Sequence, residues 1–213
     1  MDVYPIFLTD LRSRRCVVIG GNSEAERKVE GLLAAKASVT VISETLTHKL
    51  SDWADQQRFT WLPRACRPGD LQGAWLAIAA VRDNALAARL KDEAERYGVL
   101  LNVADDAPHS NFVHGAVMRR GPLAVAVSTS GCSPALAARI RKQLEQTFGP
   151  EYADFLALLA ELRQAVAERE PGFEARKDLW QALLDSDVLD LLRQGQHGEA
   201  RRLAARLVMS GAP

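Results

Sequence analysis

Short apolar runs alternate with helical patterns through the first half of the chain. The run Cys16–Ile19 is rich in β-branched residues and stops at Gly20-Gly21, as a strand buried on both faces does. Similar runs predict four more strands, at 39–42, 59–62, 75–80 and 99–103. Helical spacing predicts helices over 23–35, 44 to about 56, and 83–97. Strands and helices in this order predict a parallel sheet with right-handed crossovers.

The pattern changes after about residue 112. Two strand-like runs, 113–118 and 123–128, flank the turn sequence Arg119–Pro122 and predict an antiparallel pair. Ser133-Pro134 is typical of an N-cap followed by proline in the first turn, so a helix is expected to about Thr147.

Gly149-Pro150 marks the clearest break in composition. Beyond it the spacing is helical throughout, over 152–168, 173–184, 186–193 and 198–208. We therefore expect three parts: an α/β domain over 1–112, strands with a connecting helix over 113–148, and a small all-helical C-terminal domain over 149–213.

The composition limits which classes of binding partner are expected. The 213 residues carry 27 basic and 27 acidic side chains, so no global field attracts nucleic acid or an anionic membrane, and neither partner is expected. The start of the chain lacks signal-peptide features and no window reaches the length of a membrane span, which makes the cytoplasm the default location. The three cysteines and four histidines show no metal-ligand spacing, so we expect reduced thiols and no metal site.

The sequence Gly20-Gly21-Asn22-Ser23-Glu24-Ala25 follows a buried strand and opens a helix, which is the context of a Rossmann dinucleotide fingerprint. The helix N-terminus offers N–H groups and partial positive charge to a pyrophosphate. Asn22 stands where the second fingerprint glycine is expected, and its side chain is predicted to crowd the phosphates. The alternative is a Gly-Gly turn that only connects strand to helix.

Glu44 lies just past the second strand, where an acid usually hydrogen-bonds the adenosine ribose. An acid there favours NAD over NADP, because it repels a 2′-phosphate. Glu44 could equally be an acid in the first turn of the following helix.

Several further segments follow one another along the chain in a characteristic order and spacing. They are Tyr4-Pro5-Ile6-Phe7, Ala25-Glu26-Arg27-Lys28 after the glycine turn, Trp75–Ala80, Asn102-Val103-Ala104-Asp105, Arg120-Gly121-Pro122-Leu123 and Ser128–Ala137. This set resembles the precorrin-2 dehydrogenase/sirohydrochlorin ferrochelatase family, which also forms the N-terminal part of the fused siroheme synthase. The resemblance covers essentially the whole chain and is most specific over residues 1–145.

The resemblance implies NAD-dependent oxidation of precorrin-2 to sirohydrochlorin, and in many members insertion of ferrous iron, as a substrate, to give siroheme. It implies a Rossmann domain, a strand region that dimerises and a helical C-terminal domain, and therefore a homodimer acting on a tetrapyrrole. The fused enzyme continues into a methyltransferase domain; this chain stops at Pro213, so it is free-standing or a fragment.

By position, Asp105 matches the family's catalytic aspartate. Hydride transfer to a nicotinamide releases a proton, and metal insertion removes pyrrole N–H protons, so one carboxylate could serve both steps. Without the resemblance, Asp105 would be taken for a solvated loop acid. Structural or surface roles are expected for the four histidines, with contact to iron or substrate left open for His109 and His114, which lie near Asp105. Thr129 matches a serine that lines the tetrapyrrole pocket, and Arg120 suits a substrate fringed with carboxylates. The implied cofactor set is Gly20, Gly21, Asn22, Ser23, Glu24, Glu44, Thr45 and Ala80, and the implied substrate set is Asn102, Arg120, Ser128, Thr129 and Ser133.

Three positions depart from the family's pattern: Asn22, Lys36 in place of a glycine after the first helix, and Val81-Arg82 where a threonine and an acid are common. All three lie on the cofactor side. Two other functions therefore stay open. One is a chelatase that has lost efficient NAD use, and the other is a non-catalytic NAD-sensing or tetrapyrrole-binding module.

Overall fold

The structure is a computed structural model, and it describes residues 3–169 and 172–210. The chain divides between His114 and Gly115 into two compact units. The predicted three-part division at 112 and 148 stays a prediction.

The first unit is an α/β fold built on five parallel strands in the order β3-β2-β1-β4-β5. This confirms the predicted fold class, with strand ends that differ by one or two residues. The strands are β1 Arg15–Ile19, β2 Ser38–Ile42, β3 Thr60–Leu62, β4 Leu76–Ala79 and β5 Leu100–Val103; the helices are α1 Ser23–Ala34, α2 His48–Asp55 and α3 Asn84–Tyr97.

The central strand β1 pairs with β2 on one side and β4 on the other. Because side chains alternate along a strand, Val18 faces a core shared with Val29 and Leu50, whereas Val17 faces a second core that contains Leu90. Helices thus cover both faces of the sheet, which explains why the β1 run is apolar at every position.

Parallel pairing brings the carboxyl ends of neighbouring strands to one edge. Backbone hydrogen bonds continue past the strand ends, from Gly20 N to Ile42 O (2.9 Å), from Ala80 N to Ile19 O (2.8 Å) and from Ala104 N to Ala79 O (2.9 Å). The loops that follow β1, β2, β4 and β5 therefore start side by side, and they carry the candidate residues of this unit.

Two details of the first unit differ from the sequence-based expectation. Helix α2 begins at His48 rather than near Glu44, because Thr47 is its N-cap and accepts a hydrogen bond from Leu50 N at 3.2 Å. The C-terminal end of α1 is followed by Lys36 with φ +59°, the left-handed conformation that normally selects glycine. This explains why a glycine is expected at that position.

The second unit begins with the antiparallel pair β6 Ala116–Arg120 and β7 Leu123–Val127. The first of these strands lies about three residues later than predicted, because the turn at Gly121-Pro122 pairs Arg120 directly with Leu123. Helix α4, Pro134–Thr147, begins as predicted, with Ser133 Oγ accepting from Leu136 N at 3.2 Å.

Four helices complete the second unit: α5 Glu151–Arg169, α6 Phe173–Leu184, α7 Val188–Arg193 and α8 His197–Ser210. Their bounds follow the predicted ones closely. Phe155, Leu179, Leu183 and Val188 are among the residues of their shared core.

Over the described ranges, no helix combines the length and apolarity needed to cross a membrane. Cys16, Cys66 and Cys132 are free thiols, and burial raises the pKa of Cys16 and Cys66 to about 11. These two thiols are therefore protonated at neutral pH.

Candidate active site

The turn between β1 and α1 is held tightly between two neighbouring loops. Gly20 has φ +110°, and a Cβ atom there would lie 2.7 Å from Ala80 O. A Cβ on Gly21 would collide with the carbonyl oxygen of Thr45. The turn requires both glycines: Gly20 for its conformation and for the space beside Ala80, and Gly21 for the close approach of the β2 loop.

Asn22 is the N-cap of α1. Its Oδ1 accepts hydrogen bonds from the backbone N–H groups of Glu24 (3.1 Å) and Ala25 (2.9 Å), and its Nδ2 donates to Ala80 O at 2.9 Å. The side chain therefore ties the helix start to the end of β4. These bonds occupy two N–H donors at the start of α1, and the crowding of a phosphate by this side chain stays a prediction.

The backbone amides of Asn22 and Ser23 donate no hydrogen bond within the described part of the chain. They are the groups at the start of α1 that a pyrophosphate could meet without displacing a protein acceptor. The strand, glycine turn and helix thus fit a dinucleotide, but with fewer free donors than a third glycine would leave.

Past β2, the loop that carries Glu44 and Thr45 packs against the glycine turn. Thr47 N donates to Gly21 O at 2.9 Å, and Ser43 Oγ donates to Thr45 O at 2.7 Å. Glu44 is exposed and precedes α2 by several residues. The alternative that placed Glu44 in the first helical turn is therefore wrong.

Asp105 follows β5 and adopts φ +57°, a left-handed conformation that is uncommon for a residue with a side chain. It lines a cavity of about 600 Å³ at the carboxyl ends of β4 and β5. The other lining residues are Val81, Arg82, Asp83, Asn84, Ala87, Ala104, Asp106 and His109. Ligands of open α/β sheets bind at this edge.

The loop after Asp105 returns along β5 and is pinned to it. Asn111 Oδ1 accepts from Leu101 N at 2.7 Å, and Asn102 Nδ2 donates to Phe112 O at 3.1 Å. Asn102 is 8% exposed. Its buried, engaged amide argues against the predicted substrate contact and favours a role in holding the loop.

The charged side chain of Lys28, on α1, is also influenced by Asp105 at this edge of the sheet. Burial lowers the pKa of the Lys28 ammonium, while the charges of Glu24 and Asp105 act in the opposite direction. Lys28 and Asp105 therefore interact electrostatically. Within the described residues, no group of three or more His, Cys, Asp or Glu side chains could hold a metal ion.

The remaining predicted substrate residues lie in the second unit. The Arg120 guanidinium donates to three backbone carbonyls, those of Phe148 (2.8 Å), Glu145 (3.0 Å) and Arg119 (3.0 Å). This geometry argues against the predicted role in binding substrate carboxylates. Arg120 instead ties β6 to the end of α4.

Three hydroxyls at the start of α4 accept hydrogen bonds from backbone amides. Ser128 Oγ accepts from Ser130 N (3.1 Å), Thr129 Oγ1 from Ser133 N (3.0 Å), and Ser133 Oγ from Leu136 N. Each oxygen is used as an acceptor, so each O–H remains able to donate to a ligand.

Asp106 and His109 both line the cavity and form a pair. The sequence pointed to His109 only through its nearness to Asp105, and not to its pairing with Asp106. Asp106 Oδ2 lies 2.7 Å from His109 Nδ1, and Asp106 Oδ1 accepts from His109 N at 3.3 Å. The sequence signal is an acid three residues before a histidine in a loop, which is too common to single out without the cavity.

The fold and this edge define a Rossmann-type dinucleotide-binding protein. A family model described as putative NAD(P)-binding matches residues 7–116, a sirohaem biosynthesis central model matches 120–147, and a sirohaem synthase dimerisation model matches 151–208. The chain therefore belongs to the family that forms the N-terminal part of siroheme synthase.

Individual relatives agree with this family. Siroheme synthases of Chromobacterium violaceum and Photobacterium profundum are 36% and 34% identical over the whole chain, which spans 45% of their length. A solved structure described as SirC, precorrin-2 dehydrogenase, matches 98% of this chain and 100% of its own with a TM-score of 0.79 and 23% identity. That structure supports the fold.

Proposed function

We propose that this chain oxidises precorrin-2 to sirohydrochlorin with NAD, and that it also inserts ferrous iron to give siroheme. Membership in the siroheme synthase family supports the substrate class. The observation that carries the proposal is the position of Asp105. This residue has a left-handed backbone conformation and lines the cavity at the carboxyl ends of β4 and β5.

The cofactor residues are those of the first unit's strand-end edge. Gly20 and Gly21 form the tight turn that brings the start of α1 to this edge, and the amides at Asn22 and Ser23 donate to a pyrophosphate there. The exposed Glu44 carboxylate suits a ribose hydroxyl and repels a 2′-phosphate, which favours NAD. The same edge contains the three remaining residues of the predicted cofactor set, Glu24, Thr45 and Ala80. When bound, NAD supplies the hydride acceptor.

The protein itself has to accept the proton that oxidation of the macrocycle releases. Oxidation removes a hydride and a proton from the macrocycle, and an Asp105 carboxylate oxygen accepts that proton. Within the second unit, the hydroxyls of Ser128, Thr129 and Ser133 are the groups able to donate to a carboxylate. Because the geometry of Asn102 and Arg120 argues against ligand contact, both are left out of this assignment.

One observation favours a second function, a chelatase with weak use of NAD. Asn22 Oδ1 already occupies the amides of Glu24 and Ala25, so a pyrophosphate finds part of the helix N-terminus capped. Metal insertion needs no nicotinamide, so this cap would not impair it.

The decisive substitution is Asp105→Asn. The amide keeps the size of the carboxylate and tolerates the left-handed turn, but it cannot accept the proton. We expect dehydrogenation of enzymatically made precorrin-2, followed by NADH absorbance, to fall by about 10²–10⁴-fold. NAD affinity and the urea midpoint should change little.

Asp10→Asn is the matched control, since Asp10 is an exposed aspartate with a similar φ of +56° outside the cavity. It should retain wild-type activity. Full activity of Asp105→Asn would show that Asp105 is only a turn residue.

We also propose that the protein is a homodimer. The dimerisation model matches residues 151–208, which supports self-association. The predicted interface lies on β6 and β7, and both outer edges of this hairpin lack a strand partner within the described residues.

A further inference from the structure

The cavity lined by Asp105 also contains a carboxylate–imidazole pair. Asp106 Oδ2 and His109 Nδ1 are 2.7 Å apart, and the Asp106 and His109 side chains are 21% and 28% exposed. In the tautomer whose Nδ1 donates to the Asp106 carboxylate, Nε2 is the ring nitrogen that can accept a proton. His109 Nε2 has no hydrogen-bond partner among the described residues.

The pair sits on a loop whose backbone is fixed. Ser110 Oγ donates to Asp106 O at 2.7 Å and accepts from Val103 N at 2.9 Å, so the segment is anchored to the last residue of β5. Lys91 Nζ donates to Pro108 O at 3.3 Å from α3. The imidazole is therefore held in place by both its side-chain partner and its backbone.

The two proposed reactions differ in the number of protons that the protein must accept. Oxidation by hydride transfer releases one proton. Insertion of a divalent ion breaks two pyrrole N–H bonds, forms bonds from the metal to the ring nitrogens, and releases two protons without a change in oxidation state. One carboxylate is sufficient for the first reaction, whereas the second is served better by two acceptors.

We propose that His109, oriented by Asp106, accepts the second proton during metal insertion, while Asp105 accepts the first. This inference rests on the proposed function and adds a residue to its second step. Asp106 is a positioning residue in this scheme, because it acts by fixing the ring and stabilising the imidazolium that forms. The other charged groups that line the cavity are Arg82 and Asp83, at the start of α3.

The test compares insertion and dehydrogenation in the full chain. Sirohydrochlorin and ferrous iron, mixed without oxygen, report insertion through the change in the macrocycle spectrum; precorrin-2 with NAD reports dehydrogenation. In His109→Gln we expect kcat for insertion to fall by about 10–100-fold, because an amide is not a base. Dehydrogenation should fall by less than threefold.

A matched control is available on the surface. His48 Nδ1 lies 3.1 Å from Asp52 Oδ2 on the exposed face of α2, so His48→Gln removes a similar pair outside the cavity and should affect neither reaction. In His109→Ala, added imidazole should restore insertion in a concentration-dependent way. A purely structural role would not respond to imidazole.

The outcomes separate the two proposals. Wild-type insertion rates in both His109 variants, or equal losses of both reactions without imidazole rescue, would overturn the role of His109. A wild-type chain that oxidises precorrin-2 but inserts no metal would also overturn it and leave the dehydrogenase proposal standing. A chain that inserts iron with dependence on His109 but does not oxidise precorrin-2 would support the inference and reject the dehydrogenase.

Discussion

At the scale of single residues, Asn22 shows how one side chain can satisfy several backbone groups at the start of a helix. Its carboxamide satisfies two amides that every helix N-terminus leaves unpaired, and it also bridges to Ala80 O. A glycine at this position would leave the same amides to a ligand. The departure from the fingerprint therefore replaces phosphate donors with an internal cap.

This exchange predicts opposite effects of Asn22→Gly on binding and stability. We expect NAD to bind several-fold more tightly by calorimetry, because the amides of Glu24 and Ala25 become free. The free energy of unfolding should fall by about 0.5–1 kcal/mol, since both the cap and the bridge are lost. Thr47→Gly, which removes the cap of α2, should lower stability without tightening NAD. Unchanged or weaker NAD binding by Asn22→Gly would contradict the competition.

At the scale of elements, the connection from β3 to β4 is held by one carboxylate. Arg64 donates to both oxygens of Asp70, at 2.8 and 2.7 Å, and Arg67 N donates at 2.7 Å. Arg15 Nη2 adds a bond to Asp70 O at 3.1 Å. The paired guanidinium, together with the Arg67 amide, outweighs desolvation and lowers the pKa of Asp70 to about 2.

The lowered pKa predicts how stability depends on pH. Because the folded state binds the proton of Asp70 less well than the unfolded state, the stabilisation is fully present above about pH 4. It is lost as the pH falls through about 2. Asp70→Asn should lower the free energy of unfolding by on the order of 1 kcal/mol at pH 7, discounted for partial exposure.

Urea unfolding followed by tryptophan fluorescence at pH 7, 4 and 2.5 would measure this difference, which should shrink towards the lowest pH. Asp52→Asn, at an exposed position, should show a smaller effect at pH 7. A difference for Asp70→Asn that stays constant with pH would reject the assignment to ionisation.

The helices and strands also show how much of the structure could be predicted from the sequence alone. The strand runs and the helices were predictable because their apolar residues repeat with the periods of the two structures. The start of α2 was not, since the cap at Thr47 and the packing of residues 43–47 against Gly21 depend on a contact between distant segments. The His109–Asp106 pair was missed for a similar reason: its meaning comes from the cavity rather than from the spacing. The same holds for Arg120, since two of its three carbonyl partners lie 25 and 28 residues away.

At the scale of the whole molecule, the hairpin of the second unit has one covered face and one open one. Met118 is fully buried on one side of β6, whereas its neighbour Val117 is 38% exposed and pairs with the exposed Ala126. Side chains alternate along a strand, so Val117 and Ala126 share the outer face. By the same alternation the outer face also carries the exposed Arg119, opposite Ala124. Apolar positions on an open face, next to unpaired strand edges, are typical of a site of self-association.

The last prediction is that Val117→Lys converts a homodimer into a monomer. Light scattering of the wild type at micromolar concentrations should give twice the chain mass of 23.3 kDa. A lysine on the outer face of β6 would place a charge in the interface, so the variant should have half that mass while keeping its urea midpoint within experimental error. Leu184→Lys is the comparison, since Leu184 is 50% exposed on α6, inside the region that the dimerisation model matches. If Leu184→Lys dissociates the protein and Val117→Lys does not, the interface lies on the helices. A wild-type monomer would reject the homodimer itself.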